Sequence, residues 1–439
     1  MDHSPHVCLS IATGWPTWPL RIADIESESG AVQTGLAALF PGIGAQRVGM
    51  GKKLFERFTS YRDTLAEASD ELGEDVPALI FEAANRARLA RQEEAQLTTF
   101  VTGVAMYRTY AAELDLRFDF LAGHSLGELT ALCCSGALGF AEALRLVRRR
   151  ADIIRDTADS LDGTMVWVIG IAPDAVEGVC RRVAGGGPNL VVSAVDAPRQ
   201  VAISGETDLV GRAAELLEAR GGRVFPLRME GPYHSPLMAE AARRMADVLR
   251  DVHIARPNGT VLSTVDGRHH PGGDGSRALL ADQLISPVHW LTVQRRLVEA
   301  NVPFALECGP GNVLTFLLGK TTQHMRLWPL ERYDCPDALM AELALGTDDY
   351  PDVVRRCLAL AASTPCRTQP APAERDRMDR AYASLRELDR AAAAGEPVGR
   401  RDVDDALTWI GWILETKGWQ GADRESRLRQ VFDGRVLAA

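Results

Sequence analysis

The sequence reads as an α/β protein carrying a helical C-terminal extension, and three features support that reading. Short apolar runs feed directly into glycine-rich turns and then into helical patterns at three separate places. Residues 164–229 alternate strand and helix in their own compact rhythm. Beyond residue 350 every periodic segment is helical.

The 439 residues suffice for two to three domains, and with 46% hydrophobic and 25% charged residues the chain has the composition of a globular protein. The first 36 residues hold Trp15, Trp18 and the polar stretch ESESGAVQTG, and read as an arm. The apolar run LAALF, ending at Phe40, meets Pro41-Gly42-Ile43-Gly44, a strand entering a tight turn. In the segment from Gln96, apolar Leu97, Phe100, Val101, Val104 and Ala105 recur at the three-and-four spacing of a helix face. Phe118 to Ala122 form the next strand. It runs into Gly123-His124-Ser125-Leu126-Gly127, and a helical pattern follows from Glu128.

Residues 164–229 then give strand MVWVIGI, helix PDAVEGVCRRV, strands NLVVSAV and QVAISG, helix DLVGRAAELLEAR and strand GRVFPLRM. That β-α-β-β-α-β order is the ferredoxin-like unit, here inserted into a larger domain. Val302 to Leu318 repeats strand, Gly-Pro-Gly turn and helix. After 350 come the helix PDVVRRCLALAA, a Pro-rich linker STPCRTQPAPAERD, and the amphipathic helix MDRAYASLRELDRAAAA. A last helix follows, with Val403, Leu407, Ile410 and Leu414 on one face. The expected domains are the arm 1–36, a large catalytic domain from 37–163 and 230–349, the small domain 164–229, and the extension 350–439. Trp409, Trp412 and Trp419 suggest that the extension buries aromatic surface somewhere, by default on its own chain; a dimerisation element, a docking helix pair and a cover on the large domain are the readings open to it.

Charge and cysteine usage exclude several functions. The net charge of −10 argues against a nucleic-acid partner, and only four of the 49 basic residues are lysines. No apolar run reaches the length of a membrane span and the N-terminus lacks a secretory pattern, so a cytoplasmic location is expected. The eight cysteines include no C-x-x-C pair, so no metal site is expected. Cys133, Cys134 and Cys308 read as small core residues.

Ser125 is the sharpest candidate for chemistry. A serine hydroxyl is a weak nucleophile unless its position is enforced and a base takes its proton. The strand–turn–helix context of G-x-S-x-G is a nucleophile elbow, and the following helix offers backbone N–H groups to an oxyanion. The base is less obvious. His124 adjoins the serine and projects elsewhere, as a structural residue. His269 and His270 lie in the Gly/Asp-rich loop VDGRHHPGGDG and are expected at the surface. His253, His289 and His324 have no motif around them, and His3 and His6 lie in the arm. His234, in GPYHSPLM on the return from the small domain, is the first choice among several.

Five motifs occur in order: FPGIGAQ at 40–46, GHSLGE at 123–128, GPYHSPLM at 231–238, QLISPVHW at 283–290 and ECGPGNVLT at 307–315. Together, over roughly residues 36–345, they resemble the malonyl-CoA:acyl-carrier-protein transacylase family, which includes the acyltransferase domains of polyketide synthases. The resemblance implies an α/β-hydrolase-like large domain with the ferredoxin-like insert. It implies that Ser125 forms an acyl ester and that His234 is its base. It also implies that the backbone carbonyl of Gln283 holds that histidine, and that the N–H groups of Leu126 and Ile43 form the oxyanion hole. Gln96 matches a glutamine near the site floor, and Arg150 matches the arginine that grips the free carboxylate of malonyl groups. The consecutive Arg148, Arg149 and Arg150 point about 100° apart on a helix, so only one need face inward.

Two departures stand out. Ile43 replaces the glutamine of the family's G-Q-G turn, making the pocket more apolar. The Asn-rich N-x-N-x-P-x-Q reads Ala194 to Gln200, with Ala194 and Asp196 at the two asparagine positions. The function expected is transfer of a malonyl-type group from coenzyme A, through Ser125, to the phosphopantetheine thiol of an acyl carrier protein, in polyketide or fatty-acid assembly. Neither a metal nor a bound redox cofactor is required. Alternatives are transfer of a larger acyl group between carrier proteins, or hydrolysis of stalled acyl chains. Arg145, Arg148, Arg149, Arg181 and Arg182 are candidates for a carrier-docking patch.

Overall fold

A computed structural model describes residues 35–114, 116–227, 231–332, 339, 350–398 and 400–433. The expected N-terminal arm lies, except for its last two positions, outside these residues. The chain forms two compact units, the first ending at Arg332 and the second beginning at Tyr333.

The first unit is built on a parallel sheet of β1 (Leu36–Phe40), β2 (Phe120–Gly123), β7 (Thr260–Leu262), β8 (Phe304–Glu307) and β9 (Arg326–Pro329), in the order β7-β2-β1-β8-β9. Central β1 pairs on both sides, Leu39 opposite Ala122 and Glu307, and is buried along its whole length. A continuous apolar run is what a strand covered on both faces requires. Pro329 ends β9 at the sheet edge, where a missing N–H costs no ladder bond.

Helices α1 (Lys52–Arg57), α2 (Thr59–Leu72), α3 (Val76–Phe81) and α4 (Arg86–Leu89) precede the long α5 (Gln92–Glu113). The apolar face expected for α5 is buried, but so are Gln96, Thr98, Thr99 and Thr102 on its other sides. Between Glu94 and Met106 this helix is enclosed all round, so its polar residues there face protein and not water. α6 (Leu126–Cys134) begins immediately after Ser125, two residues before the position the pattern suggested, and α7 (Phe140–Ala158) follows.

The inserted layer contains β3 (Gly163–Ile169), α8 (Pro173–Val183), β4 (Leu190–Ala197), β5 (Gln200–Glu206), α9 (Thr207–Glu218) and β6 (Arg223–Pro226). Its four strands are ordered β4-β5-β3-β6, every pair antiparallel. Val176, Cys180, Val210 and Leu217 of the two helices pack on Val168, Val201 and Ile203 of the sheet. The chain then returns through α10 (Ala239–Leu249), α11 (Gly273–Asp282), α12 (Trp290–Glu299) and α13 (Val313–Leu318). The insert is tied to that return at β4: Val195 N–H donates to the Val288 carbonyl, and Val288 N–H to that of Ser193, both at 2.9 Å.

In the second unit, α14 (Tyr350–Ser363), α15 (Pro372–Ala393), α16 (Arg400–Thr416) and α17 (Gly421–Asp433) enclose one core. Val403, Ile410 and Leu414 are fully buried in it, and Leu407 packs at its margin, which is the stripe expected of α16. Trp419 is buried, with Nε1 donating to the Pro365 carbonyl at 2.9 Å. α15 starts six residues before the amphipathic pattern, inside the stretch that reads as a Pro-rich linker. Pro372 opens the helix, where its missing N–H costs nothing, and the Glu374 carboxylate accepts the Ala371 N–H at 2.8 Å.

Candidate active site

Ser125 stands between β2 and α6 with φ 51° and ψ −108°, a conformation that a non-glycine residue adopts only under strain. Its neighbours must be glycines. A Cβ on Gly123 would lie 1.9 Å from the Gly127 carbonyl carbon, and one on Gly127 would lie 2.0 Å from the Phe40 carbonyl oxygen. The elbow is therefore wedged against the end of β1, and the serine hydroxyl is held at the first turn of α6.

His234, in the return from the insert, brings Nε2 to 2.9 Å from Ser125 Oγ. Its Nδ1 lies 2.9 Å from the main-chain carbonyl oxygen of Gln283. That carbonyl can only accept, so Nδ1 carries the proton and Nε2 is free to take one. Burial first, and the Arg150 charge second, bring the His234 pKa down from 6.5 to about 4. The imidazole is thus neutral at physiological pH. Among the described histidines, His234 alone reaches the serine; His253, His269 and His324 are exposed.

Arg150 is the member of its arginine run that faces inward. Arg149 is exposed and Arg148 pairs with Glu74 at 2.8 Å, whereas Arg150 is buried. The α7 positions Ala143, Val147, Arg150, Ala151 and Ile154 form one buried stripe, a spacing readable in the sequence. Its guanidinium donates to Gln96 Oε1 at 2.6 Å, Ser125 Oγ at 3.1 Å and Gln283 Oε1 at 3.2 Å. Burial lowers its pKa to about 10, leaving it cationic at neutral pH. Among the described residues no carboxylate lies within ion-pair distance of it. Two amides and the Ser125 hydroxyl hold this cation.

Leu126 and Ile43, expected as oxyanion donors, lie on the two segments that meet at the elbow. Leu126 opens α6, so its N–H has no intrahelical acceptor. Ile43 follows Gly42, whose Cα approaches the elbow so closely that a Cβ there would sit 2.9 Å from the His124 carbonyl oxygen.

Two histidines have partners that their local sequence does not reveal. His124 reaches into the insert, its Nε2 2.9 Å from Asp196 Oδ1. His270, expected at the surface, is fully enclosed and pairs at 2.7 Å with buried Glu128. The Gly/Asp-rich loop around it looks solvated, but the partner lies 142 residues away in sequence. Burial drives the Glu128 pKa up. The hydrogen bond and charge of His270, with two further bonds from Thr264, outweigh burial and leave it below the ordinary carboxylate value. Glu128 stands in the motif GHSLGE, yet only the folded chain shows what it contacts.

Residues 38–340 match the model of the acyl transferase domain. The chain belongs to the malonyl-CoA:acyl-carrier-protein transacylase family. Over 315 residues it is 33% identical to the malonyl CoA-acyl carrier protein transacylase of Escherichia coli K12, covering 71% of this chain and 100% of that one. The corresponding Bacillus subtilis 168 protein is 32% identical over 292 residues, covering 66% and 92%. A Coxiella burnetii malonyl CoA-acyl carrier protein transacylase structure superposes with a TM-score of 0.67 at 29% identity, covering 71% of this chain and 97% of that one. A malonyl-transacylase in complex with its type II polyketide synthase acyl-carrier protein superposes with 0.64 at 32% identity, covering 67% and 95%. In this transacylase-family chain the match ends at residue 340, before α14 begins at Tyr350. Among the described residues no helix is long and apolar enough to cross a membrane.

Proposed function

We propose that the protein transfers a malonyl group from coenzyme A to the phosphopantetheine thiol of an acyl carrier protein, by a ping-pong route through a Ser125 ester. The observation that carries this reading is Arg150: a buried guanidinium, without a carboxylate partner among the described residues, 3.1 Å from the nucleophilic oxygen. A buried cation is costly unless it is paired, and a donor that ends in a carboxylate supplies the missing charge. An acetyl donor does not.

Ser125 Oγ attacks the thioester carbonyl as His234 Nε2 takes its proton, with the Gln283 carbonyl holding the imidazole in register. The N–H groups of Leu126 and Ile43, with the N-terminal dipole of α6, take the developing oxyanion. Collapse expels coenzyme A, protonated by His234. The carrier thiol then gives its proton to His234 and attacks the ester, and Ser125 leaves as the hydroxyl. No metal or redox cofactor enters the scheme.

The strand order and alternation of the insert support its assignment as a ferredoxin-like layer on an α/β-hydrolase-like body. The setting proposed is cytoplasmic polyketide or fatty-acid assembly. Three of the five arginines considered for carrier docking are already paired, Arg145 with Glu71, Arg148 with Glu74 and Arg181 with Glu177. Docking would therefore draw on Arg149 and Arg182, both exposed.

Intact-protein mass spectrometry after exposure to malonyl- and acetyl-CoA, with a Ser125→Ala control, tests the reading. A malonyl adduct on the parent alone, discharged by added holo-carrier protein, is the expected result. An adduct that disappears without a carrier thiol would point to hydrolysis. No adduct from either donor would point to a carrier-bound acyl donor.

A further inference from the structure

Gln283 sits between two opposite buried charges, and each of its polar atoms has a defined partner. Its Nε2 donates to Glu128 Oε2 at 3.0 Å and to the Ser125 carbonyl at 3.2 Å. Its Oε1 accepts from Arg150 at 3.2 Å, and its main-chain carbonyl holds His234. Glu128 is ringed by Ser263 Oγ at 3.0 Å, His270 Nε2 at 2.7 Å, and Thr264 through N–H at 3.0 Å and Oγ1 at 2.6 Å.

An ionised carboxylate can only accept and a guanidinium can only donate. A neutral side chain placed between them must therefore donate at one end and accept at the other, as a primary amide does. Glu128 and the Ser125 carbonyl on one side, with Arg150 on the other, fix which way round the amide lies: NH2 toward the carboxylate, oxygen toward Arg150. Reversed, the amide would turn its N–H groups toward Arg150, which can only donate, and its oxygen toward Glu128 and the Ser125 carbonyl, which can only accept. The arrangement also keeps the protein's own negative charge one amide away from Arg150, so the guanidinium stays open to a carboxylate on the donor.

We propose that Glu128, held by His270, is a positioning residue for donor selection. It sets the Gln283 amide, which steadies Arg150 toward the acyl group, and the preference for a donor with a free carboxylate depends on it. This rests on the malonyl reading above.

The test compares loading of the full chain from malonyl-CoA and acetyl-CoA in Glu128→Leu, Glu128→Gln, Gln283→Met and the Glu128→Leu/Gln283→Met double variant. Gln283→Met keeps the main-chain carbonyl under His234 and removes only the amide. Glu128→Leu is expected to lower the malonyl-to-acetyl ratio of kcat/KM by at least about tenfold. Glu128→Gln can still turn an oxygen to Gln283 and is expected to bring the ratio back to within about threefold of the parent. In the double variant Glu128→Leu should lower the ratio no further than Gln283→Met does alone.

Equal losses from both donors in Glu128→Leu would overturn the proposal, because a scaffold residue harms both alike. So would a ratio that Glu128→Gln fails to restore, or a further tenfold fall in the double variant. Should Glu128→Leu fail to fold by circular dichroism, Gln283→Met decides: an unchanged ratio overturns the role of the amide, and with it that of Glu128. A parent that loads nothing from malonyl-CoA removes the malonyl reading and this proposal together. A parent that loads, with a ratio insensitive to Glu128, removes this proposal alone.

Discussion

Among its described residues the protein buries two cations, Arg150 and Lys417, in different surroundings. Arg150 in the catalytic unit is held by the side-chain oxygens of Gln96, Gln283 and Ser125. Lys417 in the helical unit is 6% exposed, and its Nζ donates to the main-chain carbonyls of Ala361 at 2.7 Å and Thr364 at 2.5 Å. Those carbonyls lie at the C-terminal end of α14, where the last turn leaves acceptors unpaired and the helix dipole favours positive charge. Lys417 completes a helix end. Arg150 has no carboxylate partner among the described residues; its shortest hydrogen bond goes to Gln96 Oε1 at 2.6 Å, and it also reaches the Ser125 hydroxyl at 3.1 Å. Burial alone does not mark a functional charge. The mark is a buried charge whose partners include the candidate nucleophile itself.

The largest effects should come from the groups that do the chemistry beside Arg150. Ser125→Ala removes the acyl acceptor, so no covalent adduct should form from any donor, and transfer to holo-carrier protein should fall by at least roughly 10³-fold. An adduct on the Ser125→Ala protein would place the nucleophile elsewhere. Arg150→Ala comes next. Loss of a charged partner in a buried pair costs about 2–5 kcal/mol, so malonyl-CoA kcat/KM should drop by roughly 30-fold to a few thousand-fold, well beyond the drop for acetyl-CoA. Equal losses for the two donors would make Arg150 a structural cation after all, of the same kind as Lys417.

How far these residues could be read from the sequence depends on how far apart their partners lie. The elbow was legible because its causes are local: Gly123 and Gly127 flank Ser125, and a strand and helix adjoin them. Three helices of the second unit were legible for the same reason, one of them through the stripe Val403, Ile410 and Leu414, whereas α17 at Gly421–Asp433 was not read. The contact of His234 with Ser125 spans 109 residues, so local reading left it as one candidate base among several, and the family resemblance singled it out. His270 was placed on the surface because its loop looks solvated. Its burial depends on Glu128, which no pattern near either residue signals. The start of α15 was hidden by prolines that suggest a linker, although Pro372 is where a helix tolerates one.

A smaller effect couples Arg150 to the base. His234 titrates at about 4 in the folded chain against an ordinary 6.5, from burial first and the Arg150 charge second. Between those values the unfolded chain binds a proton that folded His234 refuses, so this residue's contribution to stability is lost as pH falls through that window. For catalysis the base remains free above about pH 4, and the acid limb of kcat/KM for loading should lie there. In Arg150→Ala the limb should move upward but stop short of 6.5, since burial persists. A limb that stayed put would show that burial alone sets the basicity of His234.

Lys417→Met should give the smallest effect, and it sharpens the contrast from the other side. The variant loses two charge-assisted bonds. The Ala361 carbonyl keeps the Tyr382 hydroxyl as a donor, whereas the Thr364 carbonyl loses its Lys417 bond. An acceptor stripped of its partner costs about 1–3 kcal/mol, partly offset because a buried charge is also removed. Thermal unfolding of the full chain should therefore begin earlier, while the malonyl-to-acetyl ratio at Ser125 stays as in the parent. A change in that ratio would mean that Lys417 acts on donor choice as well as on its own helix end, and the division between a structural and a functional cation would fail.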